Sequence, residues 1–584
     1  MESLSLETGP AHARAEWEAA AAAVLRKSGR IGPDAPDSDV VGKLTRRTLD
    51  GIEITPLGTP GAVSTTSGRP GRVGAWHNCP QFGAPDAGTT HEQIVTDLEN
   101  GATAVWLRLG EYGVPVADLG KALDGVLLDI APVVIEGCGD PEDQLEAARA
   151  FAQIARGTTL AAGTTLGVDP IGESLVGRVA SASERIEITT GEAATIATEL
   201  GCSALVADGT VVHDRGASDA QELGYVLAAA TQYLRALVAG GRSVDEAAEL
   251  ISFRVAATDE QFPTIAKLRA LRRLWSRVLE LSGVSTGSTN EGGAAIVHAV
   301  TSRPMMSKYD PWVNMLRTCV AAFAAGVGGA DLVTVLPFDQ PLGLPDAFAR
   351  RIARNTSSLL VEESHVAVVT DPAGGSHVVE KLTDDTALAA WTEFGRIEES
   401  GFGELHERIA AVVAEREQQI AKRKRPLTGL SEFPNLHENI PERASYPEGT
   451  PEVTRYGHAF ETMRDEPVSE SVYLATMGTV AAHTARATFA GNLFAAGGID
   501  VINEGAHDDA DAVLAHYRGE AVVCLAGSDP AYAEWGTELA NRLREAGAQW
   551  VIVAGKPLEG CDDNCAMGID ALDFLTRTRA KLEA

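Results

Sequence analysis

Cysteine is scarce: seven residues in 584, at positions 79, 138, 202, 319, 524, 561 and 565. A set so sparse, scattered and odd in number builds no disulfide framework and points to a reducing cytosol. The nearest pair, Cys561 and Cys565, is an isolated C-x3-C read as a loop with two ordinary thiols, and no second Cys/His pair completes a tetrahedral metal site. Basic residues are also in deficit, 49 against 81 acidic, for a net charge of −32. That excludes nucleic acid and an anionic membrane surface as main partners, because both demand clustered Lys and Arg. No apolar run approaches the roughly 18 residues that span a bilayer. The opening MESLSLETGP is too polar and acidic for a signal or transit peptide. A soluble, cytoplasmic protein is expected. What the chain does have, 45% hydrophobic and 22% charged residues, is the composition of a folded globular protein. Its length allows about four domains, or fewer if one is a large α/β barrel.

Residues 1–45 read as an arm. Glu16 to Lys27 is a strong helix former with acids first and bases last, as the helix dipole prefers. A Pro/Ser/Asp tether follows it. Trp17, Val24 and Leu25 are its only large apolar groups, so the helix must dock on this chain or on a partner. Over 46–420, apolar runs alternate with amphipathic stretches such as Asp219–Ala239 and Phe262–Leu281. The runs are Ala104–Leu109, Val126–Ile130, Val133–Glu136, Thr165–Val168, Ala204–Asp208, Ile251–Val255, Ala294–Val300 and Leu332–Leu336. Eight buried parallel strands with helices between them predict a (β/α)8 TIM barrel. A proline-spaced linker, 421–470, opens with Lys422–Arg425 (KRKR), read as a solvated helix end or a clamp on an acidic surface. In 471–584 strands and helices alternate again, with strands at Val472–Met477, Ile499–Ile502, Ala521–Ala526 and Trp550–Ala554. That pattern predicts a flavodoxin-like, doubly wound α/β domain that would take a ligand at the carboxyl ends of its strands.

Several segments then resemble the methylmalonyl-CoA mutase family. Thr48–Leu57 (TLDGIEITPL) resembles its opening strand and Gln261–Trp275 (QFPTIAKLRALRRLW) its long barrel helix. Pro311–Thr318, Arg351–Glu363 and Asp371–Leu382 look like three further blocks in order, and Arg425–Pro434 (RPLTGLSEFP) like the linker signature. Each also has a plain structural reading: bases on one salt-bridged helix surface for the first long block, a tight turn for Gly374 and Gly375.

The resemblance implies adenosylcobalamin on the C-terminal module, held by a D-x-H-x-x-G motif whose His is the lower cobalt ligand. Here His483 is in register, but Ala481 replaces the Asp and Arg486 the Gly. Alanine cannot orient the imidazole, and an arginine stands where the cofactor tail needs room. The family's substrate-carbonyl histidine falls at Val211, which has no proton to donate. His213, two residues on, reads as a surface-loop residue. The family's Gln in Q-N-D appears as Gly167, and its ribose-holding acid in F-D-E as Gln340. The segment Trp76–Phe82, where a radical-steering tyrosine is expected, contains none.

Losses at Ala481, Arg486, Val211, Gly167 and Gln340 leave no expected catalytic, cofactor-binding or metal residues. The chain therefore looks like the degenerate, small (β) chain of the family's heterodimeric class, inactive alone. Its large (α) partner would bind adenosylcobalamin and interconvert (R)-methylmalonyl-CoA and succinyl-CoA. Two alternatives stay open: a CoA- or nucleotide-binding module or sensor of the same fold, and a self-sufficient acyl-CoA mutase with a rewired site.

Overall fold

The computed structural model describes residues 13–59, 72, 74–176, 183–284 and 295–583. The first twelve residues of the arm, and Ala294, lie outside them.

Two short strands, β1 (Arg46–Arg47) and β2 (Glu53–Ile54), pair antiparallel. The segment expected to open the barrel is therefore a hairpin beside it. Asp50 at the hairpin tip accepts hydrogen bonds from the Ser218 hydroxyl and the Ala220 amide, which ties the hairpin to the main body.

The barrel strands are β3 (His77–Asn78), β4 (Gln81–Phe82), β5 (Val105–Gly110), β6 (Val133–Cys138) and β7 (Thr165–Val168), then β8 (Ser203–Asp208), β9 (Ile251–Ala257), β10 (Val297–Thr301) and β11 (Leu332–Thr334). Every pairing is parallel, in the order β3-β11-β10-β9-β8-β7-β6-β5-β4. The two ends of that order are halves of one segment, 77–82, broken at Pro80, which has no amide to donate. His77 pairs with Leu332 on one side and Gln81 with Trp106 on the other. The sheet thus curls onto itself as a TIM-like barrel. Strands β8 and β9 are buried at every position, as a parallel sheet covered on both faces requires. Val126–Ile130 is a correction. It forms turns with Leu127 and Ile130 in water, and the first barrel strand is 77–82, which carries no apolar run.

The Asp219–Ala239 helix starts at a capping box between Ser218 and Gln221 and is buried almost all round. Its inner face meets the barrel, and the long His377–Ser400 helix covers its back. The same second layer buries the bases of Gln261–Leu281. Lys267, Arg269 and Arg272 were expected on a salt-bridged surface, yet all three are buried and ion-paired, to Glu222, Glu380 and Asp331 respectively.

The C-terminal sheet has strands β12 (Val472–Thr476), β13 (Val501–Ile502), β14 (Val522–Ala526), β15 (Trp550–Ala554) and β16 (Asp563–Cys565), all parallel, in the order β13-β12-β14-β15-β16. Successive residues of β12 feed opposite faces: Val472 and Leu474 pack with Phe494 and Phe574, Tyr473 and Ala475 with Val513 and Leu539. The C-x3-C segment is only partly a loop, since Cys565 is a buried residue of β16.

In the arm, Arg14–Lys27 packs against a second helix, Asp39–Leu44, through Ala22, Leu25, Ile31 and Val40. The tether supplies that second helix, so Leu25 is covered within the arm while Val24 stays in water. Of the basic run that opens the linker, Lys422 caps the Leu405–Ala421 helix, Arg423 pairs with Glu432 and Arg425 with Glu260.

Candidate functional site

At the carboxyl ends of the barrel strands lies a cavity of about 800 Å³, roofed by linker residues 446–455. Hydrogen bonds pin that roof. The Tyr446 hydroxyl donates to the Gln340 carbonyl at 3.0 Å, the Thr454 amide to the Asp214 carbonyl at 3.2 Å, and the Tyr456 amide to the Pro304 carbonyl at 2.8 Å.

The cavity floor is ionic. Arg108 on β5 pairs with Glu136 on β6 at 3.2 Å, Arg254 on β9 with Asp208 on β8 at 2.7 Å, and Arg303 with Asp214 at 2.9 Å. Burial alone would raise the Glu136 carboxyl, but Arg108, with Arg254 and Arg303 behind it, holds it below the usual carboxylate range. The Arg254 guanidinium also lies 4.4 Å from the centre of the Trp106 ring and donates through Nε to His298 Nδ1 at 3.4 Å. Burial, helped by Arg254, pushes His298 well below its ordinary 6.5, so the ring is neutral. With Nδ1 accepting, Nε2 carries the hydrogen and donates to Thr334 Oγ1 at 2.8 Å, and that hydroxyl donates to the Cys79 carbonyl. A polar belt therefore runs from β8 across β9, β10 and β11 to the first strand.

Asp169, which follows β7, accepts from the Tyr233 hydroxyl and the Gly172 amide, yet burial raises its carboxyl to about 7, with the charge of Asp208 adding to the effect.

The cavity contains three of the positions singled out in the sequence. Val211 lies in the short Thr210–His213 helix and presents only methyl groups. Gly167 lines the wall with φ +62°, at a register slip between β7 and β8. A Cβ there would overlap the Ile135 carbonyl oxygen, so no side chain, glutamine included, fits this backbone. Gln340 sits under the roof. His213 does not belong to the lining, nor is it a surface residue. It is buried, with Nε2 2.7 Å from Ser302 Oγ and Nδ1 3.3 Å from Glu222. Its ring is committed to Glu222, which also binds Lys267. Trp76 also points elsewhere, donating to Ser357 Oγ at 2.8 Å. Two lining tyrosines, Tyr112 and Tyr446, went unnoticed because they come from loops with no strand or helix pattern to place them.

In the C-terminal sheet, His483 is buried in the first turn of Val480–Ala496 and its Nδ1 donates to the Gly478 carbonyl at 3.1 Å. Ala481 is exposed one turn edge away and offers no acceptor. Arg486 reaches across the strand ends, donating to the Gly527 carbonyl at 2.6 Å, pairing with Asp529 and lying 4.8 Å over the Tyr532 ring. Among the described residues no cluster of three His, Cys, Asp or Glu side chains could hold a metal, and no helix is long and apolar enough to cross a membrane.

The family model for methylmalonyl-CoA mutase matches residues 94–488, two-thirds of the chain and nearly all of the barrel just described. The chain belongs to the methylmalonyl-CoA mutase family. Curated relatives cover almost its whole length. A methylmalonyl-CoA mutase small subunit of Streptomyces virginiae is 42% identical over 96% of each chain. A probable small subunit of Mycobacterium tuberculosis is 40% identical over 93% of this chain and 92% of its own. The small subunit of Propionibacterium freudenreichii subsp. shermanii is 34% identical over 96% and 94%. Against this methylmalonyl-CoA mutase background, the cavity occupies the fold's usual ligand position, yet three of its arginines, Arg108, Arg254 and Arg303, are matched by the chain's own carboxylates.

Proposed function

We propose that the chain is the non-catalytic small (β) subunit of an adenosylcobalamin-dependent methylmalonyl-CoA mutase. Its large (α) partner would bind the cofactor and interconvert (R)-methylmalonyl-CoA and succinyl-CoA by radical rearrangement. The division of labour within the chain is an arm (1–45) that contacts the partner, a barrel (46–420), a linker (421–470) and a flavodoxin-like module of degenerate cobalamin-binding type (471–584). A cytoplasmic setting goes with it.

The observation that carries the proposal is the chemistry of the cavity. A thioester carbonyl is activated by a preorganised donor, and the donor position, Val211, is a methyl surface. Three of the arginines around it, Arg108, Arg254 and Arg303, already face Glu136, Asp208 and Asp214. Arg486 supports the same conclusion at the other end, because its side chain bridges the strand ends where a cofactor tail would have to enter. His483 has a carbonyl, not a carboxylate, as its partner. These residues do not fit adenosylcobalamin, and no step of the reaction is assigned to this chain.

The test is purification of the chain alone and together with the large subunit, with absorbance spectra, mass and turnover measured for each. The lone chain should be colourless after dialysis from micromolar adenosylcobalamin and inactive on methylmalonyl-CoA. The pair should be a coloured, active heterodimer. A red, dialysis-resistant lone chain, or turnover by it, overturns the proposal. Retention of CoA by a chain that ignores the large subunit would favour a sensor.

A further inference from the structure

Seven exposed large apolar side chains gather on one side of the barrel. Trp312, Leu316 and Val320 stand four residues apart along Val313–Val327 and its leading edge, so they share one face, and all three are in water. From Trp312 to Phe323, every residue that reaches solvent is apolar or a thiol, while the polar Asn314, Arg317 and Thr318 are buried. A barrel helix ordinarily turns charged residues outward.

The surface continues sideways. Phe348 and Leu359, at the two ends of Ala347–Ser358, are exposed, and the Phe338 ring bridges Trp312, stacked at 4.8 Å, to Phe348, edge-on at 6.1 Å. Below them, the Val366–Val368 turn packs through Val366 on the Ala324–Val327 cluster and leaves Val368 and Val369 in solvent. These seven residues are between 36% and 77% exposed. At roughly 150–250 Å² per large apolar side chain, they leave on the order of 700 Å² in water. The largest patch on a typical monomer is about 300–600 Å², whereas one partner of a standard interface contributes about 800 Å².

We propose that this face docks the large subunit, given the partnership proposed above. A second copy of the chain is the poorer occupant. Two bodies of −32 would have to meet, and that shared charge opposes their association.

The test is the double variant Leu316→Glu with Val320→Glu, mixed with the large subunit, the dissociation constant being read by mass photometry and sedimentation. Met567→Glu, at an exposed site on the C-terminal module, is the control. Wild type and the control should form a 1:1 complex, and the double variant should bind at least a hundredfold more weakly with an unchanged melting curve. If its melting curve shifts, Leu316→Ser replaces it, with about tenfold weakening expected. A double variant within threefold of wild type overturns this docking face alone. A wild-type chain that ignores the large subunit overturns the functional proposal with it. Wild-type self-association that the double variant abolishes makes the occupant a second copy and overturns the assignment.

Discussion

Gly167 gives the sharpest test of the backbone geometry in the cavity wall. Its φ of +62° lies in the left-handed region, and a Cβ would fall within the Ile135 carbonyl oxygen on β6. An L-residue in that conformation costs about 1–2 kcal/mol, and forcing a packed strand aside costs about 1–3 kcal/mol more. The sum, about 2–5 kcal/mol, is a large fraction of the roughly 5–15 kcal/mol that holds a domain folded. Because the penalty arises at the first side-chain atom, Gly167→Ala should lose nearly as much as Gly167→Gln. Gly375→Ala isolates the dihedral cost, since Gly375 has φ +81° and open space around its Cβ. Urea unfolding followed by tryptophan fluorescence compares the three, with Trp106 and Trp275 both buried in the barrel as reporters. Gly167→Ala proving no worse than Gly375→Ala would refute the overlap. If it holds, a glutamine at 167 cannot be accommodated, because the β7 backbone leaves no room for its Cβ.

Two further outcomes follow from buried charge. Lys267 is enclosed with Glu222 at 2.5 Å and Asp219 at 3.1 Å, so Lys267→Met leaves two carboxylates without their cation and should cost about 3–5 kcal/mol. Adding Glu222→Gln should recover part of it. A loss under about 1 kcal/mol by thermal unfolding would contradict the burial of the pair. Asp169 sets a pH dependence. Its folded carboxyl, raised from 3.8 to about 7 by burial and Asp208, holds its proton more tightly than the unfolded chain does. The resulting stability is full below about pH 4 and is lost as pH climbs through about 7, on the order of 4 kcal/mol. Asp169→Asn should match wild type near pH 4, exceed it at pH 8, and flatten that stretch of the curve. Parallel curves for the two proteins would contradict the assignment.

The sequence pattern was most legible where both faces of an element are apolar. The Asp219–Ala239 helix and the β7 and β15 strands have the bounds expected of them, since burial on two sides leaves a continuous apolar run. The first barrel strand was hidden because 77–82 points His77 and Gln81 partly inward to a polar interior and is broken by Pro80. Val126–Ile130 misled for the opposite reason: Leu128 is buried, but Leu127 and Ile130 sit on a turn with their side chains outside. His213 and the bases of Gln261–Leu281 read as surface groups because periodicity cannot reveal that a second helical layer, His377–Ser400, lies over the barrel helices. The partners of those bases, Glu222, Glu380 and Asp331, lie 45, 111 and 59 residues away in sequence. The positions set apart by the family resemblance could be named from the residues themselves. What stands in their place, Arg254 with Asp208 and His298, depends on three strands meeting and leaves no local signature.

The belt also bears on how the barrel interior is held together. A buried unpaired charge is among the costliest defects a core can carry. Here Arg108, Arg254 and Arg303 each meet a carboxylate from a neighbouring element, and His298 is held neutral in the one tautomer that lets it accept from Arg254 and donate to Thr334. The belt fastens adjacent strands to one another below the cavity that residues 446–455 roof. Its members depend on each other: removing Asp208 strands Arg254, and protonating His298 would set two cations side by side. Outside that interior, the apolar surface along Trp312, Leu316 and Val320 is open to another molecule.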